Sequence, residues 1–263
     1  MTPQHPADDD SHRPGPATGS SDRPGPVTGS SDRPGSVIGS SDRSGPVTGS
    51  SDRPGPAARE VGVGPHPRPW PDDPRLDPEL LADGDRRNVV DHYRYWSREA
   101  IVADLDARRH PLHVAIENLE HDANIGSVVR TANAFAVGAF HIVGRRRWNR
   151  RGAMVTDRYQ HEIHHPDAEH LIAWARRDER PLVAIDLVPG AQPLEHAVLP
   201  RRSVLVVGQE GPGASEAILE AADLVVGITQ FGSTRSINVA AAAAIAMHSW
   251  IVQHADIPRG PLL

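Results

Sequence analysis

A strand, a helix and a second strand follow one another in the middle of the chain, and this order constrains the fold more than any other feature. Residues 113–118 have the apolar pattern of a strand, residues 125–137 have the apolar spacing of a helix, and residues 139–144 again have the pattern of a strand. Asn124 and Gly138 stand at the expected ends of that helix. Two strands joined by a helix over about 30 residues pair in parallel. The sequence therefore predicts an α/β fold.

The same alternation continues towards the end of the chain. Short apolar runs rich in Val and Ile predict strands at 182–187, from Val204 onwards, and at 224–228. Helices are expected at 167–177 and 214–222, the second with Ser215 as its N-cap. Together these segments predict a parallel sheet that is flanked by helices.

The N-terminal third has a different composition. From Arg13 the sequence repeats with a period of ten, from RPGPATGSSD to RSGPVTGSSD, and Pro- and Gly-rich sequence continues after the repeats. Each unit has too few large aliphatic residues to bury a face, which predicts disorder. A tether or a docking segment is the functional alternative. We expect a disordered tail at 1–85 and a folded domain at 86–263, which begins with an amphipathic helix at about 88–109.

Composition excludes several kinds of site. The chain has no Cys, which removes disulfides, thiolate nucleophiles and Cys-based metal centres. His161 and His165 have the spacing of a helical metal pair, but their segment contains Pro and has no third obvious ligand, so we expect no metal. No apolar run reaches the roughly 18 residues of a membrane span. The net charge of −6 comes from the tail, and we expect a soluble cytoplasmic protein.

A basic segment follows the second strand of the central unit. Residues 145–151 have the sequence RRRWNRR, five Arg around one Trp. Basic side chains that alternate with an aromatic ring suit a phosphate backbone and a stacked base, whereas the alternative is a solvated loop that carries only charge. Because α/β folds bind ligands at the carboxyl ends of strands, we favour contact with RNA. The expected contacts are Arg145, Arg146, Arg147, Trp148, Arg150 and Arg151.

A glycine loop ends the strand that begins at Val204. The sequence VLVVGQEGPG brings Gly208, Glu210, Gly211 and Gly213 together. It lacks the Lys-Ser/Thr pair of a P-loop, and a carboxylate among the glycines would repel a pyrophosphate. A neutral adenosine or a cationic sulfonium is tolerated there, which favours S-adenosylmethionine over ATP or NAD. The alternative is a tight turn with Glu210 in solvent.

The stretch at 228–246, ITQFGSTRSINVAAAAAIA, combines a polar loop with an alanine run. Its Ser233, Arg235, Ser236 and Asn238 lie at the start of a predicted helix, where side chains and free backbone N–H groups bind ligands. An alanine run is also a good helix former without any functional role. This stretch alone therefore does not decide between a site and a packing element.

Three motifs occur in order along the chain: Asn124-x-Gly126-Ser127-x-x-Arg130-Thr131-Ala132, then Gly208-x-Glu210-Gly211-x-Gly213, then Ser236-Ile237-Asn238-Val239. Together they resemble the SpoU (TrmH-like) RNA 2′-O-ribose methyltransferases of the SPOUT superfamily, over about residues 88–255. The family usually has Leu at the position of Ile237, and its separate N-terminal RNA-binding domain is not evident in this sequence.

This resemblance implies a SPOUT fold with a C-terminal trefoil knot, a homodimer, and S-adenosyl-L-methionine as the cofactor. It makes Arg130 central to catalysis, either as a base activated by the substrate phosphate or as a cation that stabilises the alkoxide. It also implies a backbone contact and a buried side chain at Ile237. The implied cofactor contacts are Gly208, Glu210, Gly211, Gly213, Ile228 and Ile237. The other implied catalytic residues are Asn124, Glu210, Ser236 and Asn238.

The implied reaction is methylation of a ribose 2′-hydroxyl in RNA. Without a separate RNA-binding domain, recognition rests on the catalytic domain, its Arg cluster and the partner in the dimer. This favours tRNA as the substrate, with rRNA as the alternative. A non-catalytic RNA-binding protein on the same fold and a base methyltransferase of the same superfamily are the remaining alternatives.

Overall fold

The five strands predicted from the sequence, together with two short strands that were not predicted, form one sheet in the computed structural model, which describes residues 62–144 and 147–260. The strands are β1 (His110–Glu117), β2 (Val137–Val143), β3 (Glu162–His165), β4 (Leu182–Ile185), β5 (Gln192–Pro193), β6 (Val204–Val207) and β7 (Leu224–Gly227). Their order across the sheet is β3-β2-β1-β6-β4-β7-β5, and each of these neighbouring pairs is parallel. The predicted parallel sheet is confirmed. The ten-residue repeats, Arg145 and Arg146 lie outside the described residues.

The α-helices of the described residues are α1 (Pro78–Asp83), α2 (Arg98–Asp106), α3 (Asp122–Ala134), α4 (Ala168–Arg177), α5 (Glu216–Ala221) and α6 (Val239–His254). Ser215 caps α5 as predicted, because its hydroxyl accepts a hydrogen bond from the backbone N–H of Ile218. The alanine run forms α6. Within the described residues, none of these helices is both long and apolar enough to cross a membrane.

Helices cover both faces of the sheet. On β1, Val114 and Ile116 belong to a hydrophobic cluster that includes α3 and α6, whereas Ala115 between them belongs to a second cluster with α4 and α5. The same alternation occurs on β6, where Leu205 contributes to the first cluster and Val206 to the second. Because a strand that is buried on both faces has no polar side, its sequence is a continuous apolar run.

Helix α3 lies three residues nearer the N-terminus than the predicted bounds of 125–137, and both predicted end positions are wrong. Asn124 lies inside the first turn. Gly138 lies inside β2, where an added Cβ would come within 2.9 Å of the carbonyl oxygen of His110. Ala136 adopts the positive φ of 47° after the helix. The glycine therefore marks the close approach of two strands, not the end of a helix.

The single helix predicted at 88–109 is also wrong. A 3-10 helix at Asp91–Tyr93 is followed by Tyr95 with a φ of 62°, and α2 begins only after Ser97. The Ser97 hydroxyl caps α2 by accepting a hydrogen bond from the backbone N–H of Ala100 at 3.1 Å. Tyr93, Trp96 and Ile101 of this segment nevertheless pack in one cluster, which also includes Tyr159.

Regular structure also begins before the boundary expected near residue 85. Helix α1 is capped by Asp77, whose carboxylate accepts a hydrogen bond from the backbone N–H of Glu79 at 2.9 Å. Asp85 is fully buried, and its Oδ2 accepts hydrogen bonds from Arg87 at 2.7 Å and from the backbone N–H of Tyr95 at 3.0 Å. A buried carboxylate persists only when it is paired. These polar contacts hold the segment in place. Its Pro- and Gly-rich composition did not indicate that it is ordered.

Three histidines form a row across adjacent strands. The Nδ1 atom of His113 lies 2.9 Å from Nε2 of His141, and Nδ1 of His141 lies 2.8 Å from Nε2 of His165. Trp174 of α4 covers the row, with its ring centroid 4.4 Å from that of His141. Burial lowers the pKa of His113 to about 3, that of His141 to about 2 and that of His165 to about 4. The three rings are therefore neutral at pH 7.

We expect the free energy of unfolding to decrease when the pH is lowered from 7.5 to 5.5. Below a pH of about 6.5 the unfolded chain binds protons at these three histidines, whereas the folded chain remains neutral there. The stabilisation is thus complete above that pH and is lost as the pH falls. Each histidine should account for about 1 kcal/mol over this range, and urea unfolding at both pH values measures the change.

His196 supplies a control for this measurement because its side chain is exposed. The variant His196→Asn should show the same difference between the two pH values as the wild-type protein. Equal or greater stability of the wild-type protein at pH 5.5 would contradict a neutral histidine row.

Candidate active site

Three polar segments meet at the carboxyl end of the parallel sheet. They are the loop after β6, the loop after β7 and the first turn of α3, and with the end of β4 they line a partly open cavity of about 480 Å³. Small-ligand sites have volumes of about 300–1,000 Å³. Parallel strands deliver their carboxyl ends to one edge, so segments far apart in the sequence share this space. The predicted site residues that line it are Asn124, Gly208, Glu210, Gly211, Gly213, Ile228, Ser236, Ile237 and Asn238.

The loop after β6 is closed by its own backbone. The N–H of Gln209 donates to the carbonyl oxygen of Gly213 at 2.8 Å, and the N–H of Gly213 donates back to Gln209 at 3.2 Å. The chain enters the loop at Gly208, where an added Cβ would overlap the backbone of Ala214. Gly211 and Gly213 have φ angles of 92° and 82°, which glycine adopts without strain. The glycines therefore allow backbone, instead of side chains, to border the cavity.

One chain of hydrogen bonds joins the three segments. Nδ2 of Asn238 donates to Oδ1 of Asn124 at 3.0 Å, and Nδ2 of Asn124 donates to Oε1 of Glu210 at 2.8 Å. Oε2 of Glu210 accepts a hydrogen bond from the backbone N–H of Glu120 at 2.7 Å. At the other end, Oδ1 of Asn238 caps α6 by accepting from the N–H of Ala240 at 2.9 Å. Each of the three sequence motifs thus contributes one side chain to the same network.

This network keeps Glu210 ionised. Burial raises the pKa of its carboxyl group, but hydrogen bonds from Asn124 and from the backbone N–H groups of Glu120 and His121 outweigh burial, so the pKa lies below its usual value. Its side chain is only 20% exposed, so the alternative of a turn with Glu210 in solvent is not what the structure shows. An ionised carboxylate with several donors is a weak base and acts as an anchor for the loops.

The loop after β7 is attached at both ends and exposed between them. At its start, the carboxylate of Glu195 accepts hydrogen bonds from the Thr229 backbone N–H at 3.0 Å and from the Thr229 hydroxyl at 2.9 Å. Its end is the N-cap of α6. Arg235 and Ser236 are exposed and line the cavity. The side chain of Ile237, expected to be buried, is 36% exposed.

Comparison with known proteins agrees with this geometry. Residues 111–248, just over half of the chain, match the model of the SpoU rRNA Methylase family. The chain belongs to this family. A relative from Borreliella burgdorferi, named tRNA (guanosine(18)-2′-O)-methyltransferase, is 26% identical over 152 residues, which cover 57% of this chain and 70% of that protein.

Solved structures share the fold of this SpoU family member. The TrmH/SpoU tRNA modifying enzyme of A. aeolicus matches with a TM-score of 0.54 and 22% identity, over 59% of this chain and 81% of that chain. An AdoMet-bound rRNA methyltransferase from Sinorhizobium meliloti matches with a TM-score of 0.53 and 22% identity, over 59% of this chain and 61% of that chain. At this level of identity the likeness establishes the fold.

Arg130 lies on α3 but is not among the residues that line the cavity. It follows Asn124 by six positions on the same helix, and its side chain is exposed. Side chains on a helix lean towards its N-terminus, which directs Arg130 towards the end of α3 that borders the cavity. Its catalytic role stays a prediction.

Part of the basic segment after β2 already makes contacts within the protein. Arg150 forms ion pairs with Asp157 and Glu162, each at 3.1 Å, and its guanidinium carbon lies 5.3 Å from the centroid of the Trp148 ring. Trp148 is half-buried and packs against the larger hydrophobic cluster. The segment therefore offers exposed guanidinium groups to a ligand, whereas the half-buried ring of Trp148 is less available for stacking. The exposed basic side chains in its described part are Arg147, Arg150 and Arg151.

Asp186 is a cavity residue that sequence reasoning missed. It directly follows β4, and its Oδ2 accepts a hydrogen bond from the backbone N–H of Ala214 at 2.8 Å while Oδ1 accepts from Leu187 at 2.7 Å. With Glu210 it places two carboxylates beside the cavity. The signal that could have identified it is its position, since a polar residue directly after a buried parallel strand lies at the ligand-binding edge.

We expect Gly213→Ala to weaken binding of S-adenosylhomocysteine, the demethylated cofactor, by about tenfold or more. An added Cβ would overlap Oδ2 of Asp186, and a φ of 82° disfavours any L-residue by about 1–2 kcal/mol. The loop and Asp186 must therefore move apart, which changes the wall of the cavity. Isothermal titration calorimetry measures the affinity.

Gly190→Ala is the matched control. Gly190 has a similar φ of 87°, an added Cβ there meets nothing within 4 Å, and the residue does not line the cavity. This variant should carry the cost of a positive φ without the overlap with Asp186, and it should keep the wild-type affinity. Wild-type affinity in Gly213→Ala would show that ligand binding does not depend on this loop conformation.

Proposed function

We propose that the protein transfers a methyl group from S-adenosyl-L-methionine to a ribose 2′-hydroxyl of RNA, with tRNA as the favoured substrate. The observation that carries this proposal is the hydrogen-bonded chain of Asn238, Asn124 and Glu210, which joins all three motif segments at one cavity. Family membership and the name of the Borreliella burgdorferi relative support the same chemistry.

The chemistry of the cavity fits S-adenosyl-L-methionine. Apolar side chains of Ile185, Val207 and Ile228 line it together with the carboxylates of Asp186 and Glu210. This combination suits an adenine ring and a cationic sulfonium. Bound there, the cofactor supplies an electrophilic methyl group. The residues that would hold it are Gly208, Glu210, Gly211, Gly213, Ile228 and Ile237.

The protein's own contribution is to position the hydroxyl and to stabilise its negative charge. A guanidinium has a pKa above about 12 and stays protonated in proteins, so we assign Arg130 to the substrate phosphate and the developing alkoxide instead of to proton removal. The hydroxyl proton leaves to solvent water as the hydroxyl oxygen takes up the methyl group. Asn124 and Asn238 are fixed by their mutual hydrogen bond. Ser236, exposed on the wall of the cavity, offers a hydroxyl for a hydrogen bond to the RNA.

The position of the basic segment supports RNA as the substrate. Gly126 of α3 and Gly152 approach so closely that an added Cβ on Gly126 would lie 2.7 Å from the Cα of Gly152. Arg151 directly precedes Gly152, and Arg130 follows Gly126 by about one helical turn. An RNA strand that reaches Arg130 would therefore also pass Arg151. Ribosomal RNA is the second candidate, because the family description and the Sinorhizobium meliloti structure both name it.

A trefoil knot and a homodimer complete the proposal. The knot is supported by the order of the last elements, since β7 lies between β4 and β5 and α6 then packs in the same cluster as α3. The dimer is supported by an apolar strip on α6. Ile245 and Val252, seven residues apart and hence on one face of the helix, are 44% and 57% exposed.

Labelled methyl transfer tests the proposed reaction. The full chain is incubated with methyl-labelled S-adenosyl-L-methionine and either total tRNA or total rRNA, and we expect label in tRNA. After alkaline hydrolysis the label should remain in a dinucleotide, because a 2′-O-methyl group removes the hydroxyl that attacks the phosphodiester. Label in rRNA alone would change the substrate, label in a mononucleotide would indicate a base methyltransferase, and no label would favour a non-catalytic RNA-binding protein.

We expect Arg130→Ala to reduce methyl transfer by about 100-fold or more, as is typical when a group that stabilises developing charge is removed. Because Arg130 does not line the cavity, the affinity for S-adenosylhomocysteine should stay at the wild-type level. Arg176→Ala, at an exposed position on α4, is the matched control and should retain full activity. Near-normal transfer by Arg130→Ala would remove Arg130 from the mechanism.

A further inference from the structure

Phe231 is the most exposed large apolar side chain of the described residues, with 96% of its surface accessible. Single exposed apolar residues are common on protein surfaces, but none of the other exposed large apolar side chains of the described residues is aromatic, and each is less exposed than Phe231. A phenyl ring that is almost entirely in water adds nothing to the hydrophobic core. Its position in the fold therefore decides whether it has another role.

That position is beside the cavity. Phe231 directly follows Gln230, and Gln230 and Arg235 both line the cavity. The loop is attached just before the ring, where Thr229 makes two hydrogen bonds with Glu195. The ring is thus carried by a short anchored segment, one residue away from the cavity wall.

The charge of this loop suits an anionic partner. Arg235 is the only Arg, Lys, Asp or Glu between Asp223 and Asp256, and it is exposed. Glu195, the carboxylate that contacts the loop, is already occupied by Thr229. An aromatic ring with a nearby guanidinium and without free carboxylates is the combination that binds unpaired nucleotides, the ring by stacking and the guanidinium at the phosphate.

We propose that Phe231 stacks on a base of the RNA substrate, at a nucleotide next to the one whose ribose enters the cavity, and that Arg235 binds a neighbouring phosphate. This inference rests on the proposed function and extends it to substrate recognition. A base can stack on a protein side chain only after it leaves its own helix. The nucleotide beside the target ribose therefore lies in an unpaired region of the RNA, such as a loop.

Three substitutions of Phe231 in the full chain separate stacking from simple apolar contact. Phe231→Ala and Phe231→Leu should each lower kcat/KM for total tRNA by about 5- to 100-fold, the usual effect of losing one base–aromatic stack. Phe231→Trp should stay within about threefold of the wild-type value, because indole stacks at least as well as phenyl. Val198→Ala is the matched control, since Val198 is 83% exposed and does not line the cavity.

Modified RNA provides the second arm of this experiment. Once the methylated nucleotide is mapped, transcripts with an abasic residue at each adjacent position are compared. At one position the abasic RNA should lower wild-type kcat/KM to the value of Phe231→Leu, and it should not lower Phe231→Leu further. Additive losses at every position would show that the ring and the base do not interact and would overturn the proposal.

The remaining outcomes each have one meaning. Wild-type kcat/KM in Phe231→Leu would overturn stacking. A loss of affinity for S-adenosylhomocysteine in Phe231→Ala would assign the ring to the cofactor site, and a lower sedimentation mass would assign it to a contact with a second copy of the chain; both overturn the proposal. If the wild-type protein transfers no methyl group, the proposed function fails, and the affinities of the same variants for tRNA then test stacking by themselves. A loss of affinity confined to Phe231→Ala and Phe231→Leu supports stacking. Equal affinities of all variants overturn it.

Discussion

The carboxylate of Glu210 is the group on which the site depends. It accepts hydrogen bonds from Asn124 and from the backbone at Glu120, and Asn124 in turn accepts one from Asn238 at the start of α6. Hydrogen bonds to an ionised group are roughly twice as strong as neutral ones. This network therefore holds three segments that are far apart in the sequence in one arrangement.

The parallel sheet supplies the place where those segments meet. Because helices bury both faces, the strands are held in register and their carboxyl ends form one edge. The closed glycine loop after β6 keeps its positive φ angles there, since glycine adopts them without strain. The result is a cavity built largely from anchored backbone, beside which the loop after β7 and the basic segment stay exposed. The cavity suits a small cofactor, and the exposed loop and basic segment beside it suit a large nucleic acid.

Element types were predictable because they depend on near neighbours. Continuous apolar runs indicated buried strands, and the alanine run indicated a helix. Errors occurred where one residue type serves two purposes. Asn124 resembles an N-cap but uses its amide in the site network, and Gly138 resembles a helix end but allows two strands to approach. In the segment at 88–109, where a single helix was expected, Tyr95 has a positive φ of 62°. No local sequence pattern indicated that the helix would be interrupted there.

By itself the sequence determined the parallel α/β architecture, the glycine loop and the three motifs, because apolar periodicity and glycine content act over a few residues. Only the tertiary structure decided which side chains meet. Asn124 and Glu210 are 86 residues apart, Asp186 reaches the cavity from a strand without a motif, and three separate strands bring the neutral histidines together. Such contacts follow from the order of strands in the sheet, which is set by packing over the whole domain and not by local chemistry.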